Sequence, residues 1–272
     1  MIPEAYITEW RKVAPWPADS QVEQDLVICR ALVEIYSRPE LAASLAFRGG
    51  TALHKLHFAP AHRYSEDIDL VQLRGEAIGP VVTALRGALD PWLGEPKRVF
   101  ADGTVTLIYR FRSEGDPPLP VRLKVEINSR EHFSVYPLEH LEFSVASRWF
   151  TGKAQLTTFK LEELLGTKLR ALYQRRKGRD LFDLSLAIKR GGVDFQQVIE
   201  CFGRYLDHQG VRISRAEFEE NLHRKRADPR FRGDMQALLV PGTLYDPDAA
   251  MAEVLEAMIT KVPGAPLRAL PK

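Results

Sequence analysis

Apolar and polar positions mix helical spacing with strand-like alternation through the first half of the chain and recur at helical spacing through most of the second. Val22, Leu26, Cys29, Val33 and Tyr36 predict a helix from Asp19-Ser20 to about Ser37, capped by Asp19 or Ser20 and ended by Arg38-Pro39. Ahead of it, three prolines and scattered aromatics predict a short helix or irregular lead-in over residues 1–19, packed by Trp10 and Trp16 and without chemistry. Leu45-Ala46-Phe47-Arg48 is too short for a helix and stops at Gly49-Gly50, so it predicts a buried strand, a turn, and a helix starting at Thr51. Glu66–Val71 alternates, which puts Asp67 and Asp69 on one face of a strand and Ile68 and Leu70 on the other. Gly79–Leu93 predicts an amphipathic helix with Val82, Leu85 and Leu89 facing the core, closed by Pro96. Gly103–Phe111 and Pro120–Asn128 predict a hairpin about the turn-rich segment 113–118, and strict alternation puts Arg122, Lys124 and Glu126 on one face of its second strand.

Residues 129–157 are weakly patterned, with Val135-Tyr136-Pro137 and Phe143-Ser144-Val145 as the extended candidates. A boundary near Gly152 is expected, giving a core domain over 1–155 and a helical domain over 156–272. Thr158 is expected to cap a helix reaching about Lys177, with Leu161, Leu164, Leu165, Leu169 and Leu172 as its buried stripe. Lys168 sits in that stripe, where it either snorkels at the edge or aims inward at a phosphate site. Gly178 breaks the helix and Arg179-Asp180-Leu181-Phe182-Asp183 opens another, for which Asp180 and Asp183 suit the N-cap and third-position acid. Pro263–Lys272, with three prolines, is expected to be a loose tail.

Composition narrows the class. At 272 residues, 45% apolar and 27% charged, the chain can bury one large or two modest cores. The ends carry no basic-then-apolar leader and no window is apolar enough to span a membrane, so a cytoplasmic protein without membrane partners is expected. Cys29 and Cys201 suit buried reduced thiols. A net charge of +2 says little as a total, but Lys168–Arg190 holds eight Lys/Arg against Asp180 and Asp183. His223–Arg226 and Arg230–Arg232 form a second basic cluster, either a solvated face or an RNA backbone contact.

The candidate chemistry lies between Ala46 and Gln72. Glycines before a helix let a backbone approach a ligand, and the free N–H groups of a first helical turn favour phosphate oxygens; Thr51 adds a hydroxyl. Asp67 and Asp69, about 7 Å apart along a strand, can share one or two divalent metals. Each feature alone is commonly only a turn or the wet side of a strand; their close succession is more specific. His54 and His57 are three apart but lack a third ligand at matching spacing, so packing or surface roles are preferred. Neither a P-loop, a dinucleotide-binding Gly-x-Gly-x-x-Gly nor a Gly-x-Ser-x-Gly elbow occurs.

The string Gly49-Gly50-Thr51-Ala52-Leu53-x-Lys55, followed by Arg63-x-Ser65-x-Asp67-Ile68-Asp69-Leu70, resembles the AbiEii/AbiGii toxin family of the polymerase-beta-like nucleotidyltransferase superfamily. Lys124-Val125-Glu126-Ile127 resembles the element that carries that superfamily's third metal-binding carboxylate, which makes Glu126 the third ligand beside Asp67 and Asp69. Thr167-Lys168-x-x-Ala171-Leu172 with Arg179-Asp180-x-x-Asp183-Leu184 resembles the family's C-terminal motif, in which a lysine and an aspartate are needed for activity. The resemblance spans roughly Ala46 to Lys189. It implies an α/β (α+β) nucleotidyltransferase core, a mixed sheet flanked by helices, followed by a helical C-terminal domain. It also implies the toxin of a toxin–antitoxin or phage-defence pair, which uses Mg²⁺ or Mn²⁺ to transfer nucleotides from an NTP to RNA, most specifically the tRNA 3′ end, with a separately encoded antitoxin. On that basis Asp67, Asp69, Lys168, Asp180 and Asp183 are the catalytic candidates. Gly49, Gly50, Thr51, Arg63, Ser65, Lys168 and Arg179 are the nucleotide-binding ones. A protein or small-molecule acceptor, or a nucleotide-binding protein without turnover, are the alternatives.

Overall fold

Seven strands form among the described residues, 2–114 and 117–267 of a computed structural model. They are β1 (Leu45–Arg48), β2 (Asp67–Gln72), β3 (Lys97–Ala101), β4 (Thr104–Arg112), β5 (Pro120–Asn128), β6 (Glu139–Ala146) and β7 (Thr151–Thr158). They form one mixed sheet in the order β3-β4-β5-β2-β1-β7-β6. Neighbours pair antiparallel except at β2 with β5 and β1 with β7, which run parallel. The core domain is therefore α+β, as the family resemblance implied.

The chain divides into two compact units, one of Met1–Phe159 with Leu239–Gly242 and one of Lys160–Leu238 with Thr243–Lys272. In the first, the short α3 (Pro39–Ala42) leads into β1, and α2 (Asp19–Tyr36) and α5 (Gly79–Leu93) cover the sheet face carrying Ile68, Leu70, Leu123, Val125 and Ile127, all essentially inaccessible. Tyr109, on that face of β4, donates its hydroxyl hydrogen to Asp90 Oδ1 of α5 at 2.8 Å. The opposite face keeps Asp67, Asp69, Lys124 and Glu126 half-exposed. Trp10, at the end of α1 (Glu4–Trp10), and Trp16 are buried against α2, as expected of the lead-in.

Several boundaries differ from the sequence expectation. The N-cap of α2 is Ala18, whose N–H is taken by Gln21 Oε1 at 3.2 Å; Asp19 is already helical and pairs with Arg11. Residues 139–158 form the full β6–β7 hairpin, whereas Val135–Pro137 is not a strand. Thr158 belongs to β7 and donates to the Phe47 carbonyl at 2.7 Å, which ties β7 to β1. The following helix, α6, starts at Leu161. In the hairpin turn, residues 115 and 116 lie outside the described residues, and the Ser113 N–H closes it on the Leu119 carbonyl at 2.9 Å.

The second unit is helical: α6 (Leu161–Gln174), α7 (Gly178–Arg190), α8 (Phe195–His208), α9 (Arg215–Arg226), α10 (Pro229–Gly233) and α11 (Pro247–Ala257). Gly166 lets α6 and α8 close together, since a Cβ there would lie 2.6 Å from Cys201 Cβ and 3.0 Å from the Phe202 nitrogen. Gly178 does not break α6, which ends at Gln174; it opens α7, where a Cβ would meet the Phe231 carbonyl oxygen at 2.4 Å. Both cysteines are buried free thiols, and burial pushes each up to about 12. Of the expected C-terminal tail, residues 268–272 lie outside the described residues; Leu267 is held by its N–H to Glu219 Oε2 at 2.6 Å.

Candidate active site

The site begins where β1 runs out into Gly49-Gly50. The helix expected at Thr51 starts two residues earlier, as α4 (Gly49–Ala52), and continues as a π-helical turn over Leu53–His57. Gly49 has φ +84°, and a Cβ on it would lie 2.1 Å from Asp69 Oδ2. A Cβ on Gly50 would lie 2.3 Å from Arg63 Nη2 and 3.2 Å from Ser65 Oγ. Gly49 is thus required by both its φ and its contact, and the turn lies directly against the side chains that the second half of the motif supplies.

Thr51 Oγ1 donates to the Asp67 carbonyl at 2.5 Å and lies 2.8 Å from Ser65 Oγ, which fastens the turn to the start of β2. Arg63 is 1% exposed, donates from Nη1 to the Tyr64 carbonyl at 3.0 Å, and pairs through its backbone with Leu239. Thr51, Arg63 and Ser65, expected as phosphate contacts, build the turn.

Parallel pairing of β2 with β5 sets Asp67 beside Lys124 and Asp69 beside Glu126. Lys124 Nζ lies 2.8 Å from Glu126 Oε2 and 3.7 Å from Asp67 Oδ2, so one ammonium bridges two of the three carboxylates. Burial raises Asp67 to about 6; Lys124 opposes the rise, and Asp69 and Glu66 add to it. Burial pulls Lys124 down, but Glu126 and the two aspartates hold it above its ordinary value. Among the described residues no three His, Cys, Asp or Glu side chains converge as a metal site. The donor set nevertheless fits a hard divalent cation: three carboxylates on one sheet face, two of them already gathered about a positive charge.

Two supports escaped the sequence reading. Gln24 of α2 donates from Nε2 to the carbonyls of Arg122 at 2.6 Å and Glu66 at 3.3 Å, and accepts from Tyr64, so one amide sets the spacing of β5 and the lead-in to β2. Asp25, 1% exposed, accepts from Lys55 at 2.6 Å, Trp10 at 2.9 Å and Trp16 at 3.2 Å. The motif lysine Lys55 thereby anchors the π-helical turn to α2. The available signal was the polar run Glu23-Gln24-Asp25 inside a helix with apolar residues on every side.

In the second unit, Lys168 is 5% exposed, and its Nζ lies 3.2 Å from Asp180 Oδ1 and 3.1 Å from Asp183 Oδ2. Asp180 also receives Arg175 in a fork, Nε to Oδ2 and Nη2 to Oδ1, both at 2.7 Å. Burial pushes the Asp180 carboxyl up, but Lys168 and Arg175 hold it below the usual range. The snorkelling alternative for Lys168 and the capping role for Asp180 both fall to this geometry. Two fully buried carboxylates meet two cations, and the N-cap of α7 is Lys177. Arg179, the second residue of α7, is half-buried, and its N–H goes to Asp234 Oδ2 at 3.1 Å.

A family model described as the nucleotidyl transferase AbiEii toxin of type IV toxin–antitoxin systems matches residues 30–257. The chain belongs to the AbiEii family. No curated protein matches it. Among solved structures, this AbiEii chain is similar to MenT4, a nucleotidyltransferase toxin from Mycobacterium tuberculosis H37Rv, at 19% identity and a TM-score of 0.65, covering 96% of this chain and 91% of that one. That likeness shows a shared fold. A nucleotidyltransferase-like antigen from Paracoccidioides brasiliensis also matches at 19% identity, covering 67% of this chain and 88% of that one, with a TM-score of 0.39. Among the described residues of the AbiEii chain no helix is long and apolar enough to cross a membrane.

Proposed function

We propose that this AbiEii toxin transfers a nucleotide from an NTP to RNA, at the 3′ end of tRNA, in the cytoplasm, and that a separately encoded antitoxin neutralises it. The observation that carries this reading is the apposition of Asp67 and Asp69 with Glu126 across two parallel strands, directly against the Gly49-Gly50 turn. Asp67, Asp69 and Glu126 would hold Mg²⁺ or Mn²⁺, which supplies charge neutralisation of the triphosphate. Gly49, Gly50 and Thr51 present the backbone N–H groups of α4 to the outgoing phosphates. The acceptor hydroxyl oxygen bonds to the α-phosphorus, the bond to the bridging oxygen breaks, and pyrophosphate leaves; Asp69 or Glu126 takes the hydroxyl proton. Lys124, already between two carboxylates, keeps them from repelling one another before substrate arrives. Of the basic residues of 168–190, the exposed Arg176, Lys177, Lys189 and Arg190 favour RNA over a protein or small-molecule acceptor.

The test is incubation with each labelled NTP and total cellular RNA, with and without chelator. Label in tRNA-sized RNA that requires a divalent cation, and that disappears in Asp69→Asn, is the expected result. Label appearing on protein instead, or on nothing, overturns the acceptor.

A further inference from the structure

The second basic cluster is not uniformly solvated. In the helical unit, Arg176, Asn221, Arg224, Lys225, Asp228 and Arg230 line an open cleft of about 480 Å³. Four cations face one carboxylate there. Lys225, 4% exposed, is fixed by donating to the carbonyls of Leu172 and, at 2.9 Å, Tyr173, so it holds the end of α6. Burial, helped by the charges of Arg176 and Arg224, brings it down to about 8, while Asp180 opposes the shift. Asp228 reaches Arg176 at only 3.9 Å and accepts the Arg230 N–H at 2.9 Å as the N-cap of α10. Arg224 and Arg230 have no ion-pair partner among the described residues.

The same stretch shows what neutralised arginines look like in this protein. Arg226 and Arg232 both reach Asp248, at 2.8 Å and 2.9 Å. A carboxylate is thus supplied to two arginines of the cluster and withheld from the two that open onto the cleft. Holding like charges together costs free energy that an entering anion recovers. Guanidinium groups from separate segments match phosphate oxygens bidentately, and an open cleft of this volume admits consecutive phosphates of a chain.

We propose that the cleft formed by Arg176, Arg224 and Arg230 binds backbone phosphates of the RNA acceptor, an assignment that rests on the RNA reading above. Full-length wild type and Arg224→Ala/Arg230→Ala are titrated with fluorescent tRNA across a salt series, alongside thermal melts and binding of labelled NTP. Loss of two phosphate contacts makes the slope of log K against log salt shallower by about 1.4–1.8 and weakens binding about tenfold or more near 0.1 M salt. The melt and NTP binding stay unchanged. The control Arg226→Ala/Arg232→Ala removes the same charge from arginines that Asp248 already engages, and shifts the slope less. An equal shift from the control, or a parallel loss of NTP binding, overturns the cleft in favour of net charge or a general anion site. Unchanged RNA binding by the cleft variant, with wild type binding well, overturns the cleft alone; wild type that binds no RNA overturns the acceptor reading with it.

Discussion

Gly49 and Asp69 compete for the same space, so the smallest possible side chain there has a large consequence. Gly49→Ala puts a methyl 2.1 Å from Asp69 Oδ2 and forces a left-handed φ on alanine. The backbone term costs about 1–2 kcal/mol, and displacing a reacting-site carboxylate by about 1 Å lowers transfer about a hundredfold; a turnover assay beside a melt separates the two. Asp67 behaves oppositely in stability and activity. Its folded-state value, about 6, lies above the unfolded one of about 3.8, so the folded chain binds the proton more tightly. The ionised carboxylate then costs nothing below about pH 4 and the full amount above about pH 6. Allowing for its partial exposure, that amount is about 1–2 kcal/mol. Asp67→Asn should therefore melt a few degrees higher than wild type at pH 8 and level with it near pH 4, while abolishing transfer at both. A lower melting temperature at pH 8 would refute the desolvation account. The glycines and aspartates were legible because a turn before a strand and an Asp-x-Asp alternation are local signals. Gln24 and Asp25 were not, since their partners are up to 98 residues away and the polar run Glu23-Gln24-Asp25 hints at inward polar side chains without saying what they meet.

At the scale of elements, the buried charges hold segments together and make clean experiments. Lys168→Met removes the ammonium that the fully buried Asp180 and Asp183 share, while Arg175 still forks onto Asp180. It should cost about 3–5 kcal/mol, as for a broken buried pair. Lys168→Met/Asp183→Asn, which restores charge balance, should recover part of this in urea titrations. A neutral single variant would mean the ammonium is not paired in solution. Activity lost in Lys168→Met therefore speaks to substrate contact only at temperatures where the variant is folded. Lys55→Met makes the same break at Asp25, with a loss of similar size; Trp10 and Trp16 still donate to that carboxylate, so the lower end of the range is expected. The elements that escaped the sequence are informative too. β3 is exposed at every residue, and β6, expected to be extended only at Phe143-Ser144-Val145, buries only Val145, so neither carries the full apolar face that betrays a strand. Their ladders are made with neighbours, which no periodicity reports. The hairpin β4–β5 and helices α2 and α5 each bury a continuous apolar stripe and were visible.

For the whole molecule, the motif order carried the family and the long-range pairing carried the site, and growth is where both are read together. As a toxin of a type IV system the chain should slow bacterial growth when expressed without an antitoxin. Asp69→Ala removes one half-exposed carboxylate that lies against the Gly49 turn, so its melt and abundance are set beside those of wild type before growth is compared. If toxicity is nucleotidyl transfer, the variant grows as the empty vector does, at equal protein level, and tRNA from the wild-type culture alone carries added 3′ nucleotides. Arg224→Ala/Arg230→Ala should fall between them, slowing growth less than wild type in proportion to its weaker RNA binding. Equal toxicity of Asp69→Ala and wild type at matched abundance would detach the growth effect from the Asp67–Asp69–Glu126 face, and unmodified tRNA under a toxic wild type would move the acceptor elsewhere.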